Sequence, residues 1–282
     1  MRSEDALRPC EAGSSVVLLG IPLDHNSSHL RGPRLAPHAI RRFLRAGSMN
    51  WSSEEGVDLE SDSRWGDAGD VLIEGGPGDM ARIAAVAGDY WGRGQRILAL
   101  GGDHSITAPL LRGARAARRS ITIVHFDAHP DLYPEFEGNR DSHASPFYRI
   151  MEERLAQRLI QIGIRTLNAE QRTAVERFQV QIVSPDELYH WAGLTQETPV
   201  YISIDMDVLD PAFAPGVSHH EPGGLTVRDV LRALARIRAP LIGGDIVETN
   251  PERDPTTQTT AVAAKFLKEL LAALLHRPLH AP

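Results

Sequence analysis

Six residues in three short stretches have the types and spacing to hold divalent metal ions. His104 follows Gly-Gly-Asp; Asp127, His129 and Asp131 alternate within DAHPD; Asp205 and Asp207 alternate within DMD. Alternate residues of an extended chain point to the same side, so each stretch can present its ligands together. Four carboxylates buried in one place repel one another strongly unless their charge is compensated. Two divalent cations supply that compensation. An oxygen and imidazole set without sulfur suits Mn²⁺ better than a structural zinc site. Two ions ~4 Å apart lower the pKa of a water between them and orient it as a nucleophile. Taken singly, DAHPD reads as a solvated loop, DMD as a turn, and Gly101-Gly102 as a tight strand exit. Packing alone does not account for their joint occurrence at strand ends.

The elements that must position these residues follow from the apolar pattern. Short runs at 16–20, 96–100, 121–126, 159–163, 200–204 and 240–245 read as strands. Between them, 37–46, 79–93, 108–117, 152–157, 169–178, 226–236 and 258–275 read as helices. This alternation predicts a mostly parallel sheet covered on both faces. Such sheets bind ligands at the carboxyl ends of their strands. Four runs end there in GGDHS, DAHPD, DMDVLDP and IVETNP, so the polar residues converge on one edge. The segment 47–70 is polar and too long for an ordinary connection, which makes it a loop near the cleft or an oligomer contact. With neither repeat nor low-complexity linker, 1–282 reads as one domain, with 1–14 a flexible N-terminus.

The 282 residues suffice for a large core. A net charge of -7 gives no basic field, which argues against nucleic acid as a partner. Cys10 is the only cysteine, so no intrachain disulfide forms and a reducing compartment is expected. The N-terminal MRSEDALRPCEAGSS has no apolar stretch of signal-peptide type, and no run reaches the ~18 residues of a membrane span. A cytoplasmic protein without membrane contact is the expectation, a removed transit peptide being the open alternative.

The stretches LGGDHS, DAHPD and SIDMDVLDPAFAPG resemble the signature motifs of the ureohydrolases, which include arginase, agmatinase and guanidinobutyrase. The similarity runs from LLGIPLDHNSSHLRGP to the helix holding 261–271. HNSS, EFEGNRDSHASPF, GIRTLN, PGVSHHEPGGL and VAAKF are most similar to the plant-type arginases. The resemblance implies a three-layer α/β/α fold around a mostly parallel sheet of about eight strands, with two Mn²⁺ per subunit. By position, His104 and Asp131 hold the deeper ion, His129 and Asp207 the second, and Asp127 and Asp205 bridge both. Glu248 then pairs with the substrate guanidinium, Asp131 helps stabilise the tetrahedral intermediate, and His143 shuttles protons. Glu248 also suits its role by place, since a guanidinium entering a cleft needs a bidentate partner; a salt bridge to a nearby arginine is the alternative. His143 alone reads as a loop histidine, His25 has no assigned role, and His125, inside a strand, reads as a satisfied core histidine.

The implied reaction splits arginine into urea and ornithine. Agmatine and guanidinobutyrate are the alternative substrates, differing in what they carry beyond the guanidinium. Asn139, Ser142 and Asn168 are candidates for binding that far end. His219 stands where many relatives of this type carry a Thr-Gly-Thr-Pro run, and so is a further substrate contact. A non-catalytic metal-binding scaffold is the rival from another class. A two-metal phosphatase is weaker, because no lysine or arginine pair grips a phosphate. The resemblance also suggests a homo-oligomer, trimer or hexamer, with 256–275 contributing.

Overall fold

Apolar runs with no polar face make strands buried on both sides, and here they form one sheet. In the computed structural model, which describes residues 6–11, 13–115 and 120–277, the strands are β1 (Val16–Ile21), β2 (Trp65–Asp70), β3 (Arg96–Gly101), β4 (Thr122–Phe126), β5 (Arg158–Ile162), β6 (Gln181–Val183), β7 (Val200–Asp205) and β8 (Leu241–Val247). The helices are α1 (Ala36–Arg45), α2 (Asp79–Gly92), α3 (Thr107–Ala114), α4 (Pro146–Glu152), α5 (Ala169–Phe178), α6 (Val227–Arg236) and α7 (Gln258–His276). All pairings are parallel, in the order β2-β1-β3-β8-β7-β4-β5-β6. The expected three layers and eight strands are therefore present.

Alternation along each strand sends side chains to two cores. Leu18, Leu98, Phe126 and Ile204 meet Ile40 of α1, Leu234 of α6 and Phe266 of α7 on one face. Leu19, Ile97 and Ile123 meet Ile83 of α2, Leu110 of α3 and Phe147 of α4 on the other. Each such side chain taken fully out of water contributes roughly 1.5–3 kcal/mol. Together they fix the sheet that aims the site residues.

Three readings of the sequence need correction. The segment 47–70 contains strand β2, at the sheet edge, which its polar composition conceals. Asp67 of β2 is held by the fully buried Arg41 of α1, at 2.8 Å from both Nε and Nη2, and Asp70 pairs with the same guanidinium. The rest of the segment packs on α6 and α7, where Lys268 Nζ donates to the Asn50 and Ser52 carbonyls and Glu54 pairs with Arg228. None of it lines the cleft described below. Strand β6, three residues with only one buried, is absent from the apolar runs. The helix expected at 152–157 lies instead at α4, because Pro146 starts it with a preset φ and Arg154 ends it at φ 55. Of the N-terminal segment expected to be flexible, residues 1–5 and 12 lie outside the described residues. Leu7 N donates to Asp67 Oδ2 at 2.8 Å.

Candidate metal centre and substrate cleft

The central strands β3, β8, β7 and β4 deliver the polar residues side by side at their carboxyl ends. After β3 the chain passes so close to Leu23 that a Cβ on Gly102 would lie 1.8 Å from the Leu23 carbonyl oxygen. Only glycine fits that turn. Asp103 then caps the next turn by accepting from Ser105 N at 3.1 Å, which sets His104 with no exposed surface. The other motifs bend in the same way. Asp127 Oδ1 accepts from His129 N at 2.6 Å and Asp205 Oδ1 from Asp207 N at 2.9 Å. Aspartates that bond the amide two residues on make these tight exits, and Asp127 and Asp205 keep Oδ2 facing His104.

The six predicted ligands come together. His104 Nδ1 lies 3.3, 3.2 and 3.1 Å from Oδ2 of Asp127, Asp131 and Asp205. His129 Nδ1 lies 3.0 Å from Asp207 Oδ2 and 3.5 Å from Asp127 Oδ1. Asp127 thus touches both imidazoles.

The hydrogen bonds behind the site decide what it can hold. Ser203 Oγ gives its proton to Asp245 Oδ1 at 2.6 Å, so it accepts from His104 Nε2 at 2.9 Å. Asp245 is anchored further by Tyr201 Oη and Thr107 Oγ1. With its proton on Nε2, His104 turns a lone pair toward three carboxylate oxygens. That arrangement is repulsive unless a cation or a proton lies between them. The donor set fits divalent metal ions, and outer partners that fix the imidazole tautomer are the usual companions of such ligands.

His125 is different. Burial lowers its pKa to about 4, so it is neutral, donating from Nε2 to Asp127 Oδ2 at 2.8 Å and accepting at Nδ1 from Gln161 Nε2 at 2.9 Å. Although it lies within ligand distance of His104 and Asp127, it has no lone pair to spare. It orients Asp127, as a satisfied core histidine.

The electrostatics show how far the protein alone leaves this charge uncompensated. Burial and the neighbouring carboxylates push Asp205 well above the usual range and Asp131 to about 6, and they raise Asp207. Burial acts on Asp127 too, yet His125, His104 and His129 pull it well below. Burial opposes charge on His129, but Asp207 and Asp127 drive it up to about 12. In the absence of cations, protons take their place.

Glu248 follows β8 with φ 62 and Asp131 has φ 49, both left-handed and unfavourable for such side chains. The turn at Glu248 is closed by its N–H on the Gly102 carbonyl at 3.0 Å. Glu248 Oε1 accepts from His104 N at 2.9 Å and from His143 Nδ1 at 2.8 Å, while its buried Oε2 has no partner among the described residues. Burial disfavours its charge, but His143 and the His104 N–H lower its pKa. Burial likewise opposes charge on His143, but Glu248 and two further carboxylates raise it to about 9.

A cleft of about 310 Å³ opens over these groups. Asp131, Asp205, Asp207, His129, His143 and Glu248 form its floor side, with Tyr133, Phe136, Asn168 and His219 also lining it. Asn168 caps α5 by accepting from Gln171 N at 2.9 Å and donates to Tyr133 Oη at 2.6 Å. His219 lies with its ring 5.2 Å from that of His143, its pKa lowered to about 4 by burial and by the neighbouring His143. Asn139 and Ser142 do not line the cleft. Asn139 donates to Asn26 Oδ1 and accepts from Asp141 N, and Ser142 is buried with its hydroxyl on Ala144 N. Sequence reasoning missed Ser28, Tyr133, Phe136 and Thr166 in the cleft wall, and Ser203, Asp245 and Gln161 behind it. For the last three a signal existed, since a polar residue inside an apolar strand needs a buried partner.

The family model described as "Arginase family" matches residues 14–273. The chain is 44% identical over 286 residues to Arginase 1, mitochondrial, of Arabidopsis thaliana, covering 93% of this chain and 82% of that one. It is 34% identical over 275 residues to the agmatinase of Photorhabdus laumondii, covering 94% and 88%. The solved structure of the arginase from Medicago truncatula superposes with a TM-score of 0.85 at 41% identity, covering 93% of this chain and 88% of that one. A match over most of the length, on a fold whose strand ends gather these carboxylates and imidazoles, makes the chain a member of the arginase family of metal-dependent ureohydrolases.

Proposed function

We propose that this protein hydrolyses the guanidinium group of arginine to urea and ornithine with two Mn²⁺ ions per subunit. The observation that carries this reading is Glu248 Oε2, a buried carboxylate oxygen without a partner on the wall of the cleft that holds the ligand cluster. Burying an unpaired oxygen of this kind costs about 1–3 kcal/mol or more, so a site that keeps one keeps it for a ligand. A guanidinium offers the planar pair of N–H donors that a carboxylate matches.

His104, Asp127, His129, Asp131, Asp205 and Asp207 would hold the metal pair. Bound there, the metals supply a water acidified to near-neutral pKa and polarised toward attack. The chain's own residues do the rest. Glu248 fixes the guanidinium with its carbon over the cluster, a positioning effect that lowers the barrier before any bond changes. Asp131, which lines the cleft beside the ligand cluster, would accept hydrogen bonds from the tetrahedral species. His143 delivers a proton to the departing amine, which cannot leave as an anion.

A second reading is favoured by one feature of the wall. Among the described residues no lysine or arginine lines the cleft, so away from the ligand cluster and His143 a substrate carboxylate meets neutral side chains such as Thr166 and Asn168. That suits agmatine, which has no carboxylate, and disfavours guanidinobutyrate. Urea release from arginine, agmatine and guanidinobutyrate, measured side by side on Mn²⁺-loaded and chelated protein, decides between them. Chelator-sensitive urea from arginine is the expected result, and no urea from any of the three overturns the reading.

A homo-oligomer, trimer or hexamer, is proposed from the family resemblance, with light scattering as its test. No helix among the described residues is long and apolar enough to cross a membrane. A cytoplasmic location is proposed from the single cysteine of the sequence, Cys10, and fractionation of the source cells tests it.

A further inference from the structure

The loop after β1 reaches over the site and touches one catalytic group. Ser28 makes two contacts to the same atom of His143. Its backbone N–H donates to Nε2 at 3.1 Å, and its hydroxyl lies 2.8 Å from that nitrogen. The loop is held in place independently, because Asn26 N donates to Asp103 Oδ2 at 3.1 Å and the Asn26 carbonyl accepts from His143 N at 3.2 Å. Ser28 and His143 both line the cleft, and the Ser28 hydroxyl lies against the imidazole there.

A backbone N–H cannot reverse its polarity. An imidazole nitrogen that accepts from it carries no hydrogen, so the single proton of neutral His143 sits on Nδ1, facing Glu248 Oε1 at 2.8 Å. Adding a second proton at Nε2 sets N–H against N–H. The serine hydroxyl alone can answer, by rotating from donor to acceptor. The charged and titratable groups that face His143 are Glu248, Asp103, Asp131 and His219. The three carboxylates draw a proton toward the ring, while the Ser28 amide opposes it.

We propose that Ser28 is a positioning residue that holds His143, once it has given up its second proton, as the Nδ1–H tautomer and passes protons to and from Nε2 through its hydroxyl. When Nε2 gains a proton, the Oγ–H bond breaks as Nε2–H forms, Oγ takes a proton from a cleft water, and that water is reprotonated by buffer acid from bulk solvent. Loss of the Nε2 proton runs the same bond changes in reverse. The hydroxyl ends as it began, and the imidazole gains the proton it later delivers. The inference rests on the proposed ureohydrolase reaction, since it deepens the role given there to His143.

The test uses Ser28→Ala, which keeps the amide and removes the hydroxyl, and Ser28→Thr, which keeps both. On metal-loaded full-length protein, Ser28→Ala is expected to lower kcat about tenfold, a part of the 10²–10⁴ that a positioned acid–base group supplies, with KM within about twofold. Millimolar imidazole buffer should restore part of the loss, and Ser28→Thr should stay near the wild-type value. Exchange of the imidazole C2 hydrogen, read by mass spectrometry, gives the protonation midpoint of His143 without any turnover. That midpoint should fall in the alanine variant, which lacks an acceptor for Nε2–H, and return in the threonine variant.

A wild-type kcat in Ser28→Ala with an unmoved midpoint overturns the proposal, as does a loss that neither threonine nor buffer restores. Should the wild-type protein release no urea at all, the reaction assigned above fails. The exchange midpoint then still decides the role of Ser28.

Discussion

His143 Nδ1 donates to Glu248 Oε1 at 2.8 Å, and this contact divides the Glu248 carboxylate into one engaged oxygen and one bare one. It also joins the loop after β4 to the end of β8, which ties the residue proposed as proton donor to the one proposed as substrate anchor. Glu248→Gln keeps the shape but removes the charge that a guanidinium would meet. Losing one partner of a buried charge pair costs about 2–5 kcal/mol, roughly 30- to 5000-fold in kcat/KM. The loss should fall mainly on KM for the guanidino substrate, with metal content unchanged by elemental analysis. A variant with wild-type kcat/KM would remove Glu248 from substrate binding.

Asp127 touches both His104 and His129, and Asp205 lies against His104 and caps Asp207. Asp127→Ala and Asp205→Ala should each lose metal and turnover together, by more than about 100-fold. Ser203→Ala, which frees the far nitrogen of His104 and takes one donor from Asp245 Oδ1, should weaken metal affinity by about 10- to 100-fold, as outer partners do. Metal titration followed by elemental analysis reads all three. Full activity with both ions retained in Asp127→Ala would end the bridging assignment.

The pH dependence of turnover carries the sign of the His143 shift. Burial opposes its charge and Glu248 overcomes it, so its pKa rises from 6.5 to about 9. A raised group keeps its proton below that value and loses it above, so the acid it supplies is present through neutral pH and fades on the alkaline side of about 9. Wild-type kcat should therefore hold to about pH 9 and then fall. His143→Ala should be slower by about 100-fold at neutral pH, keep both metals, and lack that alkaline limb. Identical profiles in the two proteins would exclude His143 from proton transfer.

Arg41 is a test of the fold away from the chemistry. Its guanidinium is fully buried against Asp67 and Asp70 at the sheet edge. Arg41→Met leaves Asp67 buried without its partner, which typically costs about 3–5 kcal/mol. At about 2–4 °C per kcal/mol for a chain of this size class, the melting temperature should drop by roughly 10 °C. Adding Asp67→Asn should recover part of that in thermal melts, and a melting temperature within about 2 °C of wild type in Arg41→Met would show that the pair contributes little.

The sequence alone determined the layout. Apolar runs bounded by polar motifs can only be buried strands whose ends carry the chemistry, so β1, β3, β4, β5, β7 and β8 are legible from periodicity. The six carboxylate and imidazole residues are legible from their type and spacing, because so much like charge converging at strand ends is stable only with cations to balance it. Tertiary structure decided the rest. Strand β2 is polar and makes sense only once Arg41 arrives from α1. Asn139 and Ser142 read as tail-binding residues by position, yet their side chains bond their own loop and Asn26, and the wall is Tyr133, Phe136 and Asn168 instead. The tautomers of His104 and His143 are set by Ser203 and Ser28, 99 and 115 residues away along the chain. Local patterning fixes which residues are buried and on which side of an element, whereas the direction of a hydrogen bond depends on which distant group folding brings within about 3 Å of it.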